Sequence, residues 1–475
     1  MDQEVSANMK QKIVLYNPKA VFFTMPLGLM AIASCLDKSK YDLRIIDGRL
    51  EDDAIARVLE ELDGALCLGV SVLTGAPISD ALRILRAAKS RFPEITTVCG
   101  GWHPSLFPDE MLNESSIDIT VQGQGEATFT EVVAHLGRGE PLDEIRGITF
   151  RNNGDRQQNP ERPLMPMEVF PPMNYGLIPV ERYFELKGRR QLDYISSTGC
   201  LFRCAFCADP FVNKRSWQAI GSERLADELE SLWTAYRFED LNFQDETFFT
   251  YKSRVAEIAE QFLNRDMSFS WAATMRADQG VRLGEDVFKL CVKSGMRRVL
   301  IGVESGSPAM LKRIKKDTTI DQIISSAEMC ARNNVAVIFS FIVGFPGETP
   351  DEVMQTVSLI KKLRSMSPNF ETPIFYYKPY PGSEISAEFT AEMPQSLEAW
   401  AEFDYVQGAA GRWVSPEMYQ FMERFKFYNR YAWGGQRIAR GPLQLLSRWR
   451  CKHNWFDYPF EKTIVQSFRP EVELS

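Results

Sequence analysis

The chain has no apolar run long enough to span a bilayer. The longest, Val335 to Phe345, reads as a buried strand. It has no excess of positive charge, with 55 Lys and Arg against 63 Asp and Glu and a net charge of −8. No basic run dominates any segment on this reading, so the electrostatic footprint of a nucleic-acid binder is missing. Met1 to Gln11 is polar and lacks the apolar stretch of a secretion signal. Nine cysteines is an odd count, and Cys35, Cys67, Cys99, Cys291, Cys330 and Cys451 stand singly among apolar or helical residues. That argues against a disulfide framework and predicts reduced core thiols in a cytoplasmic protein. What remains is an ordinary globular composition, 44% hydrophobic and 25% charged, over 475 residues. That length calls for two or three cores.

The other three cysteines fall together, in Ser196-Ser197-Thr198-Gly199-Cys200-Leu201-Phe202-Arg203-Cys204-Ala205-Phe206-Cys207. Their spacing, C-x3-C-x2-C, lets one loop converge three soft thiolates on an iron–sulfur cluster or on zinc. A structural zinc or an ordinary [4Fe-4S] carrier takes four ligands, so three leave a position open. Unlinked thiols, or a zinc site completed from elsewhere, are the plainer alternatives. The spacing, with Phe206 just before the third cysteine, resembles the signature of the radical S-adenosylmethionine (radical SAM) superfamily. The resemblance implies that Cys200, Cys204 and Cys207 hold a [4Fe-4S] cluster, that the open iron chelates SAM, and that Phe206 lies near the adenine.

Upstream, short apolar strands alternate with helices. Lys12 to Asn17, Leu43 to Asp47, Ala65 to Val72, Thr96 to Cys99 and Ile117 to Val121 read as strands. The patterns near Pro26–Leu36, Asp53–Leu62 and Pro77–Ser90 read as helices. That rhythm predicts a doubly wound, Rossmann-like α/β domain over 10–145, with ligands at the carboxyl ends of the strands. Small residues gather at those ends: Ser71, Leu73, Thr74 and Gly75; Gly100, Gly101 and His103; Gly123, Gln124 and Glu126. Glycines there let backbone approach a flat ligand closely. These loops, with Pro26-Leu27-Gly28-Leu29, resemble the cobalamin-binding domain that precedes many radical SAM domains. The Asp-x-His-x-x-Gly motif that carries a cobalt-ligating histidine is absent. His103, in Gly-Gly-x-His-Pro, is either a packed loop histidine or a direct cobalt contact.

Residues 146–192 carry six prolines and read as an extended linker. From Asp193 the βα rhythm resumes, with six strands whose ends are polar or glycine-rich. They comprise the cysteine loop, Asp245-Glu246, Arg276 with Asp278, Glu304-Ser305-Gly306-Ser307, Gly344 to Thr349, and Pro379 to Gly382. Over 193–385 this matches the partial six-unit barrel of radical SAM enzymes. The resemblance implies that Phe206, Asp245, Glu246, Arg276, Glu304, Ser305 and Gly344 line the SAM site. A salt bridge is the plainer reading for Glu304 and for Arg276 (with Asp278), and Glu348 is expected to cap the next helix. Residues 386–475 read as a mainly helical region whose aromatics, Trp400, Phe403, Tyr405, Trp413 and Tyr419 among them, form a cap on the barrel or, alternatively, a substrate-stacking surface.

The family resemblance implies a cobalamin-dependent radical SAM enzyme that methylates an unactivated carbon. Oxidative cyclisation or hydroxylation without methyl transfer, and a non-catalytic cobalamin or cluster sensor, are the rivals. A small-molecule substrate and an electron donor such as flavodoxin or ferredoxin are the expected partners.

Overall fold

The computed structural model describes residues 10–152, 154–403, 414–433 and 441–468. In chain order the strands are β1 (Gln11–Asn17), β2 (Tyr41–Asp47), β3 (Ala65–Ser71), β4 (Thr96–Gly100), β5 (Ile119–Val121), β6 (Ile148–Asn152), β7 (Asp155–Gln158), β8 (Gln191–Tyr194), β9 (Ser197–Gly199), β10 (Trp217–Ala219), β11 (Asp240–Phe243), β12 (Ser270–Met275), β13 (Met296–Glu304), β14 (Ala336–Val343), β15 (Phe370–Glu371) and β16 (Ile374–Tyr376). The helices are α1 (Leu27–Ser34), α2 (Ala54–Leu62), α3 (Pro77–Arg91), α4 (Trp102–Leu106), α5 (Pro108–Met111), α6 (Gly125–Arg138), α7 (Val180–Lys187), α8 (Asp209–Val212), α9 (Ser222–Tyr236), α10 (Lys252–Asn264), α11 (Ala277–Lys293), α12 (Pro308–Arg313), α13 (Ile320–Arg332), α14 (Pro350–Met366), α15 (Leu397–Ala401), α16 (Pro416–Trp433), α17 (Pro442–His453) and α18 (Phe460–Phe468).

The chain divides into two compact units. The first comprises Met1–Tyr194, Phe211–Ile220 and Ala387–Asp404. Its sheet runs β2-β1-β3-β4-β5-β6-β7, the first five strands parallel and the last two antiparallel. Successive side chains of a strand point to opposite faces. Val14 and Tyr16 therefore enter one core with Val58, Leu62, Ile78 and Leu85, while Ile13 and Leu15 enter another with Leu29, Ala33, Phe129 and Val132. Helices α2 and α3 cover one face and α1 and α6 the other, which is why β3 is a nearly unbroken apolar run. The β6–β7 hairpin lies where the sequence reads as linker. An Asn-Gly pair is a strong hairpin signal, and here it outweighs the prolines that follow.

The second unit comprises Ile195–Pro210, Gly221–Ser386 and Tyr405–Ser475. Strands β11, β12, β13 and β14 pair in parallel, and β15 and β16 pair in turn along β14. Thr319 and Thr349 open α13 and α14 with capping boxes to Gln322 and Glu352, so both helices begin directly after their loops. Helix α16 is fastened to this unit by hydrogen bonds from Tyr376 to Glu423 (2.8 Å) and from Asn429 to Thr372 (2.9 Å). Phe421, Phe425 and Tyr428 of α16 all meet Phe456. Trp400 and Phe403 pack in the first unit instead, and Tyr405 and Trp413 lie outside the described residues.

Candidate functional site

The cysteine loop is braced on both sides. Asp245, at the end of β11 and 1% exposed, accepts hydrogen bonds from the Ser196 amide (2.8 Å), the Ser196 hydroxyl (2.7 Å) and the Ser197 hydroxyl. Glu246 accepts from the Gly199 amide at 3.1 Å, one residue before Cys200. The acidic pair expected to face SAM is thus turned onto the strand that launches the loop. Burial pushes Asp245 upward, and burial with the neighbouring carboxylates raises Glu246 to about 7. Further along, Ala205 donates to the Ile314 carbonyl and accepts from Ile385, both at 2.9 Å.

The three thiols are close enough for Cys207 to feel the charge of Cys204 and Cys200, and burial raises Cys207 to about 12. Among the described residues no three His, Cys, Asp or Glu side chains converge as ligands of one ion would. A [4Fe-4S] cluster makes no such demand, because each cysteine binds a separate iron. Thiols this buried ionise only against strong positive charge, which iron supplies. The donor set fits a cluster better than a lone zinc.

Beside the loop lies a group of charges. Arg276, 5% exposed, stacks 3.6 Å from the Phe202 ring centre and points Nη1 at Cys204 Sγ, 3.6 Å away. Its Nε donates to Asp278 (2.9 Å) and its Nη2 to the Lys316 carbonyl. The guanidinium is engaged on three sides, so the Asp278 ion pair, rather than a free cation for SAM's carboxylate, is what the fold provides. Lys316 extends Nζ to Glu304 Oε1 at 2.8 Å, with both side chains under 10% exposed, and lies 5.7 Å from the Phe206 ring centre. Glu304 has φ +66°, where the β13–β14 register shifts. Side chains other than glycine rarely adopt that conformation, and a bulge there re-aims the residue. Lys316 is the residue that sequence reading missed. It follows α12 in Ile-Lys-Lys-Asp, which looks like a solvated charge run.

Two other expected SAM neighbours serve the fold. Ser305 is fully buried, with Oγ 3.2 Å from the Thr356 hydroxyl of α14, because the bulge turns it inward. Gly344, at φ +83°, donates to Glu348, and a Cβ there would sit 2.2 Å from Val414. Glu348 therefore closes its own turn and leaves helix capping to Thr349. Burial raises Glu348 to about 7. Phe206 meets Phe345 edge-on, 5.9 Å between ring centres.

In the first unit the order β2-β1-β3 places a switch point between β1 and β3, where doubly wound sheets bind ligands. The loops after these strands expose Phe22, Phe23 and Leu73, an apolar rim suited to the flat face of a corrin. Gly101, at φ +103°, would bring a Cβ within 3.0 Å of the Val72 carbonyl, whereas a Cβ at Gly123 meets nothing within 4 Å. Ser105 links the two loops, donating to the Gly101 carbonyl (2.7 Å) and accepting from the Gly123 amide (3.0 Å). Ser71 and Gly100 end β3 and β4, and Gly75 follows at φ +103°.

Four residues expected at this rim, Thr74, His103, Gln124 and Glu126, are turned elsewhere. Gln124 grips the Met165 backbone at both its amide and carbonyl. Glu126 sits in the first turn of α6, accepting from that turn's backbone. His103 is fully buried, with Nδ1 3.2 Å from the equally buried Thr74 hydroxyl and its ring against Phe107 and Trp400. Burial lowers its pKa to about 4 and leaves Nε2 without a partner. Direct cobalt contact would require those rings to part.

Two family models match the chain. The Radical SAM superfamily is found over residues 194–360 and the B12 binding domain over 14–133. The chain is 32% identical to an uncharacterized methyltransferase of Pyrococcus horikoshii over 76% of this chain and 77% of that one. It is 26% identical to the cytidylyl-2-hydroxyethylphosphonate methyltransferase of Streptomyces wedmorensis, over 87% and 89%. The cobalamin-dependent S-adenosylmethionine radical enzyme OxsB, solved with aqua-cobalamin and S-adenosylmethionine bound, shares the fold at TM-score 0.72. It is 18% identical, over 95% of this chain and 76% of that one.

Proposed function

This chain belongs to the cobalamin-dependent radical SAM family, and from that premise we propose that it methylates an unactivated carbon of a small-molecule substrate. When bound, the [4Fe-4S] cluster supplies the electron that cleaves SAM, and cobalamin carries the methyl group. In the overall change a substrate C–H bond breaks and a C–CH3 bond forms. The first SAM leaves as methionine and as 5'-deoxyadenosine carrying the hydrogen, the methyl comes from a second SAM that leaves as S-adenosylhomocysteine, and the external donor supplies two electrons per turnover. The observation that carries the methyl-transfer reading is the likeness to the Pyrococcus horikoshii methyltransferase over three quarters of both chains.

In this reading Cys200, Cys204 and Cys207 are the cluster ligands. Arg276 donates to the Cys204 sulfur and offsets negative charge there. Asp245 and Glu246 hold the loop in place through Ser196, Ser197 and Gly199. The Glu304–Lys316 pair offers an anion to SAM's amino group and a cation to its carboxylate, and Phe206 offers a ring to the adenine. The rim of Leu73, Gly101 and Gly123 receives cobalamin, and His103 remains a neutral packing residue. A flavodoxin or ferredoxin supplies electrons, and the protein works in the cytoplasm. Among the described residues no helix is long and apolar enough to cross a membrane.

Anaerobic reconstitution with iron, sulfide, hydroxocobalamin and methyl-labelled SAM, reduced with dithionite in the presence of a small-molecule cell extract as methyl acceptor, tests the reading. Methyl transfer yields 5'-deoxyadenosine and S-adenosylhomocysteine in equal amounts with labelled product. Deoxyadenosine with oxidised, unlabelled product favours cyclisation or hydroxylation. Neither nucleoside product points to a sensor.

A further inference from the structure

The C-terminal helices carry a surface that the reaction does not use. On α17, Leu445 and Trp449 stand one turn apart and are 69% and 48% exposed, and exposed His453 follows one turn later. Trp455 and Tyr458, 40% and 79% exposed, occupy the connection to α18, which exposes Phe460 and Ile464 one turn apart. The opposite faces of both helices are joined by the ion pair of buried Arg450 with Glu461. The two exposed stripes therefore face away from one shared core. Trp449 and Trp455 meet edge-on at 5.5 Å between ring centres. Large apolar side chains raised this far out of a folded surface mark an interaction site.

The charge pattern identifies the partner. Across α17, α18 and their connection, Arg448 and Lys452 are exposed and Lys462 is half-buried, against one exposed carboxylate, Asp457, while Arg450 and Glu461 are buried against each other. Exposed Arg448, Lys452 and His453 flank the apolar stripe. Tryptophan and tyrosine among basic residues, with leucine, phenylalanine and isoleucine protruding, is the chemistry of a surface that lies in the headgroup layer. Protruding aliphatic side chains have nothing to contact on a nucleic-acid backbone. We propose that α17, α18 and their connection form a peripheral docking surface for an anionic lipid bilayer.

The full chain is tested by co-sedimentation with phosphatidylcholine vesicles, with and without phosphatidylglycerol. Binding is expected only with phosphatidylglycerol, and raised salt weakens it. Trp449→Ser with Phe460→Ser should cut binding at least about tenfold by removing inserted apolar surface. Lys452→Glu should cut it roughly fivefold or more. Both variants alter exposed side chains, so the iron–sulfur absorbance should be unchanged and serves as the folding control. Failure to sediment with either vesicle overturns the proposal. So does a concentration-dependent dimer that Trp449→Ser with Phe460→Ser disperses, which assigns the face to a second copy. Binding to an RNA oligonucleotide that displaces the vesicles overturns it as well.

Discussion

The strand ends of the two units solve different problems. In the first unit the edge is lined by backbone and by uncharged, partly exposed residues, among them Phe22, Leu73, Gly101 and Gly123. In the second it is crowded with buried charge: Asp245, Arg276, Glu304 and Lys316 are each no more than 6% exposed. A large flat ligand needs room and apolar contact, which small residues and absent side chains provide. A small zwitterion beside an iron cluster needs fixed charges, held by partners so that burial does not neutralise them. The same α/β logic, with ligands at the carboxyl ends of strands, thus yields a permissive surface in one unit and a rigid one in the other.

The contrast is broken most severely by removing the thiols. Cys200→Ala, Cys204→Ala and Cys207→Ala together should abolish the cluster's visible absorbance and all SAM cleavage, while hydroxocobalamin is still retained through gel filtration. Iron retained by that variant would dismiss the ligand assignment. The reciprocal change is Gly101→Leu. Its φ of +103° and its 3.0 Å approach to the Val72 carbonyl make any side chain strained there, by about 1–3 kcal/mol. Cobalamin should be lost with the iron–sulfur spectrum unchanged; loss of both would mean that the variant no longer folds.

Glu304→Gln probes the rigid site at lower amplitude. SAM affinity, followed by EPR of the reduced cluster, should fall by roughly 1–3 kcal/mol, the cost of one partner in a charged hydrogen bond. Adding Lys316→Met removes the unpaired cation and should restore unfolding stability without restoring SAM binding. If SAM affinity returned with stability, the ion pair would be a packing device alone.

His103 sharpens the contrast from the permissive side, with an effect confined to acid pH. Its folded pKa, about 4, lies below the unfolded value of about 6.5, so the unfolded chain binds the proton more readily. The native state is at full advantage above about pH 6.5 and loses up to about 3 kcal/mol as pH falls toward 4. His103→Gln should flatten that part of the urea-midpoint profile and still retain cobalamin. Loss of cobalamin in that variant would reinstate the histidine as a cofactor contact.

Much of the fold was legible because its signals are local. Ala65 to Val72 reads as a doubly buried strand, whereas the cap of α14 was expected at Glu348 and is formed by Thr349 with Glu352. Direction of side chains was less legible. Asp245, Ser305 and Gln124 stand at strand ends, yet each turns to a partner, Ser196, Thr356 and Met165 respectively, that is 41 to 51 residues away. The Asn-Gly hairpin at 148–158 was overshadowed by the prolines after it.

By itself the sequence determined the cysteine spacing, the βα rhythm and the glycines at strand ends. Each of these depends on neighbours within a few residues, where backbone propensity and side-chain period rule. Only the tertiary structure decided that Lys316 meets Glu304, that Arg276 reaches Cys204 and that Trp400 closes over His103. Those contacts join residues 12, 72 and 297 positions apart. Their energies come from desolvation and pairing of groups that only the assembled fold brings together.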